Sequence, residues 1–263
     1  MQYKDDNFKG FRDVKIYYQC WLPEGTNRAV LLISHGFSEH GGRYGNVVNH
    51  FLPKGYAVYA LDHRGHGRSG GERARVDDFF DYIKDLKSFF DIVRKENPND
   101  KIFLIGHSLG ALIALVYAEE YQHELAGLIT SGAGSPRPED PPLPLPAPDE
   151  PISTSILSRD PAVIEAYVND PLVYRGPIPQ TLAKIRNSMM SKLPGLLPRI
   201  KLPVLIMAGT GVSDAARSQV VFEFIGSEDK TLKLYEGLLH EIFCEPEHPR
   251  VMADLEAWLE AHV

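Results

Sequence analysis

The sequence of 263 residues contains few cysteines, no run of basic residues and no long apolar segment. Its two cysteines, Cys20 and Cys244, lie far apart and match no metal-binding or redox spacing, so we expect reduced thiols. The net charge of -7 and the lack of stretches rich in Lys or Arg argue against a nucleic-acid partner. No apolar run approaches the roughly 18–20 residues of a membrane span, and residues 1–10 lack a secretory pattern. We therefore expect a soluble protein that stays in the cytoplasm.

Short apolar runs alternate with segments of helical periodicity along most of the chain. Several runs are apolar throughout, as expected for strands that are covered on both faces of a sheet. The alternation predicts an α/β fold with a mostly parallel sheet of about eight strands, right-handed crossovers and helices on both faces. The predicted strands are residues 14–22, 29–34, 55–62, 102–105, 125–130, 203–208 and 230–235, and the predicted amphipathic helices include residues 77–96 and 249–261.

The alternation stops where a segment dense in proline begins. Proline can neither continue a helix nor pair inside a sheet, so residues 135–151 are expected to be an extended linker. Short helical patterns follow, such as residues 161–168. We interpret residues 135–197 as a cap insertion over the sheet edge where catalytic loops lie, and residues 1–134 and 198–263 as the α/β core.

Three apolar residues near the end of this insertion, Met189, Met190 and Leu193, are candidates for substrate binding. They either line a pocket for an acyl chain or anchor the insertion to the core. Methionine adapts to varied apolar partners, which favours the pocket.

A nucleophile motif follows the predicted strand at residues 102–105, because Gly106-His107-Ser108-Leu109-Gly110 leads directly into a helical pattern. The sharp turn of a Gly-x-Ser-x-Gly motif forces its serine into a strained conformation that exposes the hydroxyl at the end of the strand. The N-terminus of the following helix favours the negative charge that develops during attack. We therefore predict that Ser108 is a nucleophile rather than part of a structural turn.

Two glycine-rich loops follow earlier strands. In residues 35–42 the N–H of Phe37 is the candidate for a second oxyanion donor beside the N–H of Leu109, although these glycines also suit a simple tight turn. In the second loop, His63 and His66 lack Cys or carboxylate partners at metal-binding spacing. We favour a loop braced by neighbouring charged residues, and we expect no metal ion.

A serine nucleophile needs a base, and His240 follows the last predicted strand, where hydrolases with this motif carry their histidine. The acid that orients the histidine belongs in the loop after residues 203–208, and Asp214 is the carboxylate found there. Capping of the next helix is the alternative role for Asp214. Glu139 and Asp140 are more distant candidates for the acid.

With these residues assembled, the chain resembles the monoacylglycerol lipases and lysophospholipase-like proteins of the α/β-hydrolase superfamily. The resemblance implies an α/β-hydrolase fold and hydrolysis of glycerol monoesters, with Ser108 as nucleophile, His240 as base and the N–H groups of Phe37 and Leu109 as oxyanion hole. It also implies a cap that contacts lipid. The matching segments are residues 35–40, 62–69, 106–110, 157–161, 169–173 and 232–246.

Two features depart from the pattern of that family. The family usually places its acid three residues after the glycine that ends the strand, where this sequence has Val212, and Asp214 lies two residues further on. The cap is also short, with the proline-rich run standing where family members carry more apolar helix. A shorter cap leaves the pocket more open and favours shorter or bulkier acyl groups.

We therefore expect a serine esterase that acts on monoacylglycerols and similar small esters without a metal ion or organic cofactor. The cap is expected to contact a membrane or micelle transiently, and the sequence defines no oligomeric state. Two alternatives use the same fold: a thioesterase or a peptidase for small N-terminal residues. A third alternative is a ligand-binding relative without catalytic activity, suggested by Val212 at the usual position of the acid.

Overall fold

The computed structural model describes residues 1–147 and 151–263. Residues 148–150, which belong to the predicted proline-rich linker, lie outside the described residues. The described part of the chain forms eight strands in one sheet: β1 (Gln2–Lys9), β2 (Lys15–Leu22), β3 (Ala29–Ser34), β4 (Tyr56–Leu61), β5 (Ile102–His107), β6 (Gly127–Ser131), β7 (Val204–Gly209) and β8 (Lys230–Tyr235). Their order across the sheet is β1-β2-β4-β3-β5-β6-β7-β8.

The sheet is parallel from β4 to β8, and β2 pairs antiparallel with both β1 and β4. The prediction of a mostly parallel sheet of about eight strands is therefore confirmed. The first strand was not predicted: β1 is polar, almost entirely exposed and lies at the edge, so it has no apolar alternation to reveal it. It pairs with β2 from Gln2 opposite Leu22 to Lys9 opposite Lys15.

Seven α-helices lie within the described residues: α1 (Gly45–Phe51), α2 (Phe79–Glu96), α3 (Leu109–Tyr121), α4 (Pro161–Asn169), α5 (Gln180–Leu196), α6 (Asp214–Phe224) and α7 (His248–Glu260). Side chains of the buried strands alternate between two cores: Val30 and Leu32 of β3 contribute to the core beneath α2, α3, α5 and α6, whereas Leu31 and Ile33 face α1 and α7. Helices therefore cover both faces, as predicted.

Residues 135–197, predicted to be an insertion, lie between β6 and β7, and their described part divides into two. Leu157, Tyr167 and Val173 form a small apolar cluster of their own, whereas α5 packs into the core shared with α2 and α3. None of the helices in residues 1–147 and 151–263 is long and apolar enough to cross a membrane.

Candidate active site

Five parallel strands, β3, β5, β6, β7 and β8, end at the same edge of the sheet, and each is followed by a loop that carries a candidate residue. Ser108 joins β5 to α3 with φ 54° and ψ −115°, a strained conformation for a residue other than glycine. A Cβ on Gly106 would lie 2.5 Å from the carbonyl oxygen of Gly110, and a Cβ on Gly110 would collide with the carbonyl of Ser34. The turn that presents Ser108 therefore requires glycine on both sides.

The two residues predicted to form the oxyanion hole both line the cavity beside Ser108. Leu109 is the first residue of α3, and Phe37 lies three residues after the end of β3. Both residues line the cavity that contains Ser108, and within the described residues neither N–H donates a hydrogen bond. An oxyanion would accept hydrogen bonds from unpaired donors of this kind.

The side chain of His35 fixes the peptide that carries the Phe37 N–H, and the side chain of Glu39 fixes the peptide before it. Nδ1 of His35 lies 2.7 Å from the carbonyl oxygen of Gly36, and because a carbonyl only accepts, Nδ1 must carry the proton. Glu39 accepts the N–H of Gly36 at 2.5 Å. The Gly36 carbonyl and the Phe37 N–H belong to one planar peptide, so holding the carbonyl also sets the direction of the N–H. Burial, with a contribution from His63, holds the pKa of His35 well below its usual range.

The histidine and the acid predicted from the sequence lie together. Nδ1 of His240 is 2.5 Å from Oδ2 of Asp214, and the backbone N–H of His240 donates to the carbonyl of Ile156 in the insertion. Burial disfavours the charged ring, but the hydrogen bond and the charge of Asp214 outweigh it, so the pKa of His240 is raised. This leaves Nε2 of His240 as the nitrogen that can exchange a proton with a substrate or a hydroxyl.

Gly132 makes room for this pair at the end of β6. Its φ of 61° is left-handed, and a Cβ there would lie 3.1 Å from Cε1 of His240 and 3.3 Å from Oδ2 of Asp214. The ring of His107 packs on the other side, 4.7 Å from the His240 ring between centroids. Burial and the nearby His240 lower the pKa of His107 to about 3, so His107 stays neutral beside a protonated His240.

Ser108, His240 and Asp214 line one cavity of about 600 Å³. The described part of the chain has no hydrogen bond between the Ser108 hydroxyl and the His240 ring, and such contacts often tighten only when substrate is bound. The lining of the cavity includes the apolar side chains of Leu112, Leu143, Leu182 and Met190 and the buried carboxylates Glu39 and Glu241.

Sequence reasoning missed an ion cluster behind these carboxylates. Arg43 contacts Glu241 at 2.7 Å and Glu39 at 3.4 Å, and its guanidinium lies 4.8 Å from the centre of the Tyr167 ring. Burial opposes the charge of Arg43, but the two carboxylates outweigh it and raise its pKa. Burial raises the pKa of Glu241, and Arg43 opposes that rise. The only signal in the sequence was the presence of Glu39 and Arg43 in the loop after β3.

Of the three residues predicted to contact the substrate, only one lines the cavity. Met190 lines the cavity, whereas Met189 and Leu193 do not and pack into the core instead. The expectation for Met189 and Leu193 therefore needs correction. The reason is helical spacing: Leu182, Arg186 and Met190 follow one another every four residues along one face of α5, and Met189 and Leu193 lie on the adjacent core-facing stripe.

The remaining candidates lie away from the cavity wall. Asp140 accepts a hydrogen bond from the backbone of Arg137 at the surface, and neither Glu139 nor Asp140 lines the cavity. The loop that contains His63 and His66 is braced as expected, because Asp62 accepts backbone N–H groups of Gly41 and Arg68 and Arg64 pairs with Asp85. Asp62 and Arg64 thus support the loop that lies beside β3.

A parallel sheet that presents a strained serine after a central strand, with a hydrogen-bonded histidine and acid on later loops, is the architecture of the serine hydrolases of the α/β-hydrolase class. Comparison with known proteins gives the family. The sequence profile described as serine aminopeptidase, S33, matches residues 25–247. The chain belongs to the monoacylglycerol lipase family of the α/β-hydrolase superfamily.

Three similar proteins illustrate this membership. The monoacylglycerol lipase of Mycolicibacterium smegmatis is 33% identical over 98% of this chain and 98% of its own length. The human monoglyceride lipase is 32% identical over 88% of this chain and 81% of its own length. The crystal structure of the Paleococcus ferrophilus monoacylglycerol lipase is 28% identical, superposes with a TM-score of 0.76, and covers 100% of both chains.

Proposed function

We propose that this protein hydrolyses monoacylglycerols and similar small carboxylic esters through an acyl-enzyme intermediate. The observation that carries the proposal is the hydrogen bond between His240 and Asp214. Both residues line the same cavity as the strained Ser108. Two relatives that match most of the chain bear the names monoacylglycerol lipase and monoglyceride lipase, which supports the choice of substrate.

In the proposed first step, Oγ of Ser108 attacks the carbonyl carbon of the ester while Nε2 of His240 takes the hydroxyl proton. The carbonyl oxygen becomes an oxyanion that accepts hydrogen bonds from the N–H groups of Phe37 and Leu109. The C–O bond then breaks, and His240 returns the proton to the departing alcohol. Water attacks the acyl group on Ser108 with His240 again as base, and the carboxylic acid is released.

The proposed role of Asp214 is to hold the His240 ring in one tautomer and to stabilise the imidazolium that forms during attack. The acyl chain would lie against apolar lining residues such as Leu112, Leu182 and Met190, and the alcohol would leave past the polar lining residues. This division follows from the chemistry of the lining, since an alkyl chain gains by leaving water and an alcohol needs hydrogen-bond partners.

Residues 135–197 would act as the cap of this enzyme and contact a membrane or micelle transiently. Two large apolar side chains of this segment, Leu145 and Ile156, are exposed by 43% and 41% and could enter a lipid surface. The proposed working compartment is the cytoplasm, where the free thiols of Cys20 and Cys244 would stay reduced.

The test is the initial rate of hydrolysis of glycerol monoesters with acyl chains from about eight to eighteen carbons, for the wild type and Ser108→Ala. We expect Ser108→Ala to lose at least about 10⁴-fold in kcat, as for the loss of a serine nucleophile. Thioesters and aminoacyl amides measured in parallel decide between an esterase, a thioesterase and a small-substrate peptidase. A folded wild type that is no faster than Ser108→Ala on any of these substrates would point instead to the ligand-binding relative.

A further inference from the structure

Two arginines stand on the wall of the catalytic cavity, among residues that suit an acyl chain. Arg186 lies on α5 one turn after Leu182 and one turn before Met190, and all three line the cavity. Arg217 lies on α6, three residues after Asp214, and lines the same cavity.

Neither arginine is neutralised within residues 1–147 and 151–263. The guanidinium of Arg186 contacts only a neutral amide, the Oδ1 of Asn187, at 3.0 Å and 3.3 Å. The side chain of Arg217 makes no ion pair or hydrogen bond in the same residues, whereas Arg43 contacts the two carboxylates Glu39 and Glu241. Burial and the charge of Arg217 lower the pKa of Arg186, so the two cations are close enough to repel each other.

This arrangement is unfavourable for Arg186, which is half-buried and has no carboxylate partner among the described residues, whereas Arg217 is exposed to water. Burying part of a charge without a counter-ion costs free energy, and a second like charge nearby adds to that cost. A neutral alkyl chain alone would remove further water from Arg186 and would give its guanidinium no partner. A carboxylate at the far end of the chain would instead accept charge-assisted hydrogen bonds from a guanidinium.

An anion does not suit the surroundings of Glu39 and Glu241, which also line the cavity and already share Arg43. Arg186 instead lies on α5 between Leu182 and Met190, two side chains that suit an acyl chain. The anion therefore belongs on the acyl group rather than on the alcohol. We propose that Arg186 and Arg217 bind a carboxylate at the end of the acyl chain, so that the preferred substrates are hemiesters of dicarboxylic acids. This inference rests on the proposed ester hydrolysis and names the acyl group that it prefers.

The test compares two activated esters that differ only at the end of the acyl chain: 4-nitrophenyl octanoate and the mono-4-nitrophenyl ester of octanedioic acid. We expect the wild type to have the higher kcat/KM on the hemiester. In Arg186→Gln and Arg217→Gln the ratio of kcat/KM for hemiester to neutral ester should fall roughly 10- to 100-fold, mainly through KM, as expected when a hydrogen bond to a charged group is lost. Arg199→Gln, an exposed arginine outside the cavity that pairs with Glu119, is the matched control and should keep the wild-type ratio.

A third substrate tests the location of the anion. Octanoylglycerol and its glycerol 3-phosphate analogue place the negative charge on the alcohol, and we expect the phosphate to be the poorer substrate. Any of three results would overturn the inference: the wild type prefers the neutral octanoate, it prefers the glycerol phosphate, or the variants lose activity equally on both 4-nitrophenyl esters. If the neutral esters are still hydrolysed through Ser108, the proposed ester hydrolysis stands without the carboxylate preference. If no ester is hydrolysed, the proposed function and this inference both fail.

Discussion

The carboxylate of Asp214 lies 2.5 Å from Nδ1 of His240, although it is two residues beyond the position where the family usually carries its acid. Two hydrogen bonds tie the loop of Asp214 to the loop of His240: the N–H of Gly211 donates to the carbonyl of Leu238, and the N–H of Gly237 donates to Oγ1 of Thr210. Asp214 also begins α6, where the helix dipole stabilises a negative charge. The carboxylate of Asp214 therefore reaches the imidazole through loop geometry.

Replacing this acid tests whether the contact is functional. Asp214→Asn keeps the shape but removes the charge and introduces an NH2 group that can donate to Nδ1 of His240 and select the wrong tautomer, so we expect kcat on a glycerol monoester to fall by about 10³- to 10⁴-fold. Asp140→Asn, which changes an exposed carboxylate away from the cavity, is the control and should retain wild-type activity. A folded Asp214→Asn enzyme within a few-fold of the wild-type kcat would exclude Asp214 as the acid.

The charge of Asp214 should also be visible in the titration of His240. Because Asp214 outweighs burial, the pKa of the His240 ring should lie above its usual value of about 6.5, and kcat/KM should fall as the pH drops through it. In Asp214→Asn burial acts without that carboxylate, so the pKa should move to lower pH, although Glu241 and Glu39 still favour the charged ring. NMR titration of the ring in both proteins measures the shift, and an unchanged pKa would show that Asp214 does not set it.

A side chain at Gly132 should lower activity because it would crowd the His240 ring, and it should lower stability because the backbone there is left-handed. Gly132→Ala places a Cβ 3.1 Å from Cε1 of His240 at a φ of 61°, so we expect a loss of about 1–2 kcal/mol in the free energy of unfolding and a clear drop in kcat. Gly25→Ala is the matched control, since its φ is 85° but a Cβ would meet nothing within 4 Å. Chemical unfolding and steady-state kinetics on both variants separate the two effects; equal kcat values in the two would contradict the steric role.

Much of the sheet could be predicted because its central strands are apolar on both faces and end in loops with recognisable motifs. The turn that carries Ser108 could also be predicted, because close backbone contacts require glycine at positions 106 and 110 and so leave a recognisable motif. The edge strand β1 was missed because nearly all of its residues are exposed and carry no periodic signal.

Features that depend on distant parts of the chain were harder to predict. The pairing of Arg43 with Glu241 joins residues 198 positions apart, and no local pattern encodes it. The roles of Met189, Met190 and Leu193 could not be separated by composition, because only the rotation of α5 against the sheet decides which of them meets the cavity. The same rotation places Arg186 on that wall, which the sequence did not indicate.

The most direct test of the central claim is the intact mass of the protein after treatment with an alkyl organophosphonate, with wild type and Ser108→Ala side by side. The account predicts one covalent adduct on the wild type, located by peptide mapping to the segment from β5 to α3, and none on Ser108→Ala. A folded wild type that acquires no adduct, or an equal adduct on Ser108→Ala, would contradict the assignment of Ser108 as the activated nucleophile of this site.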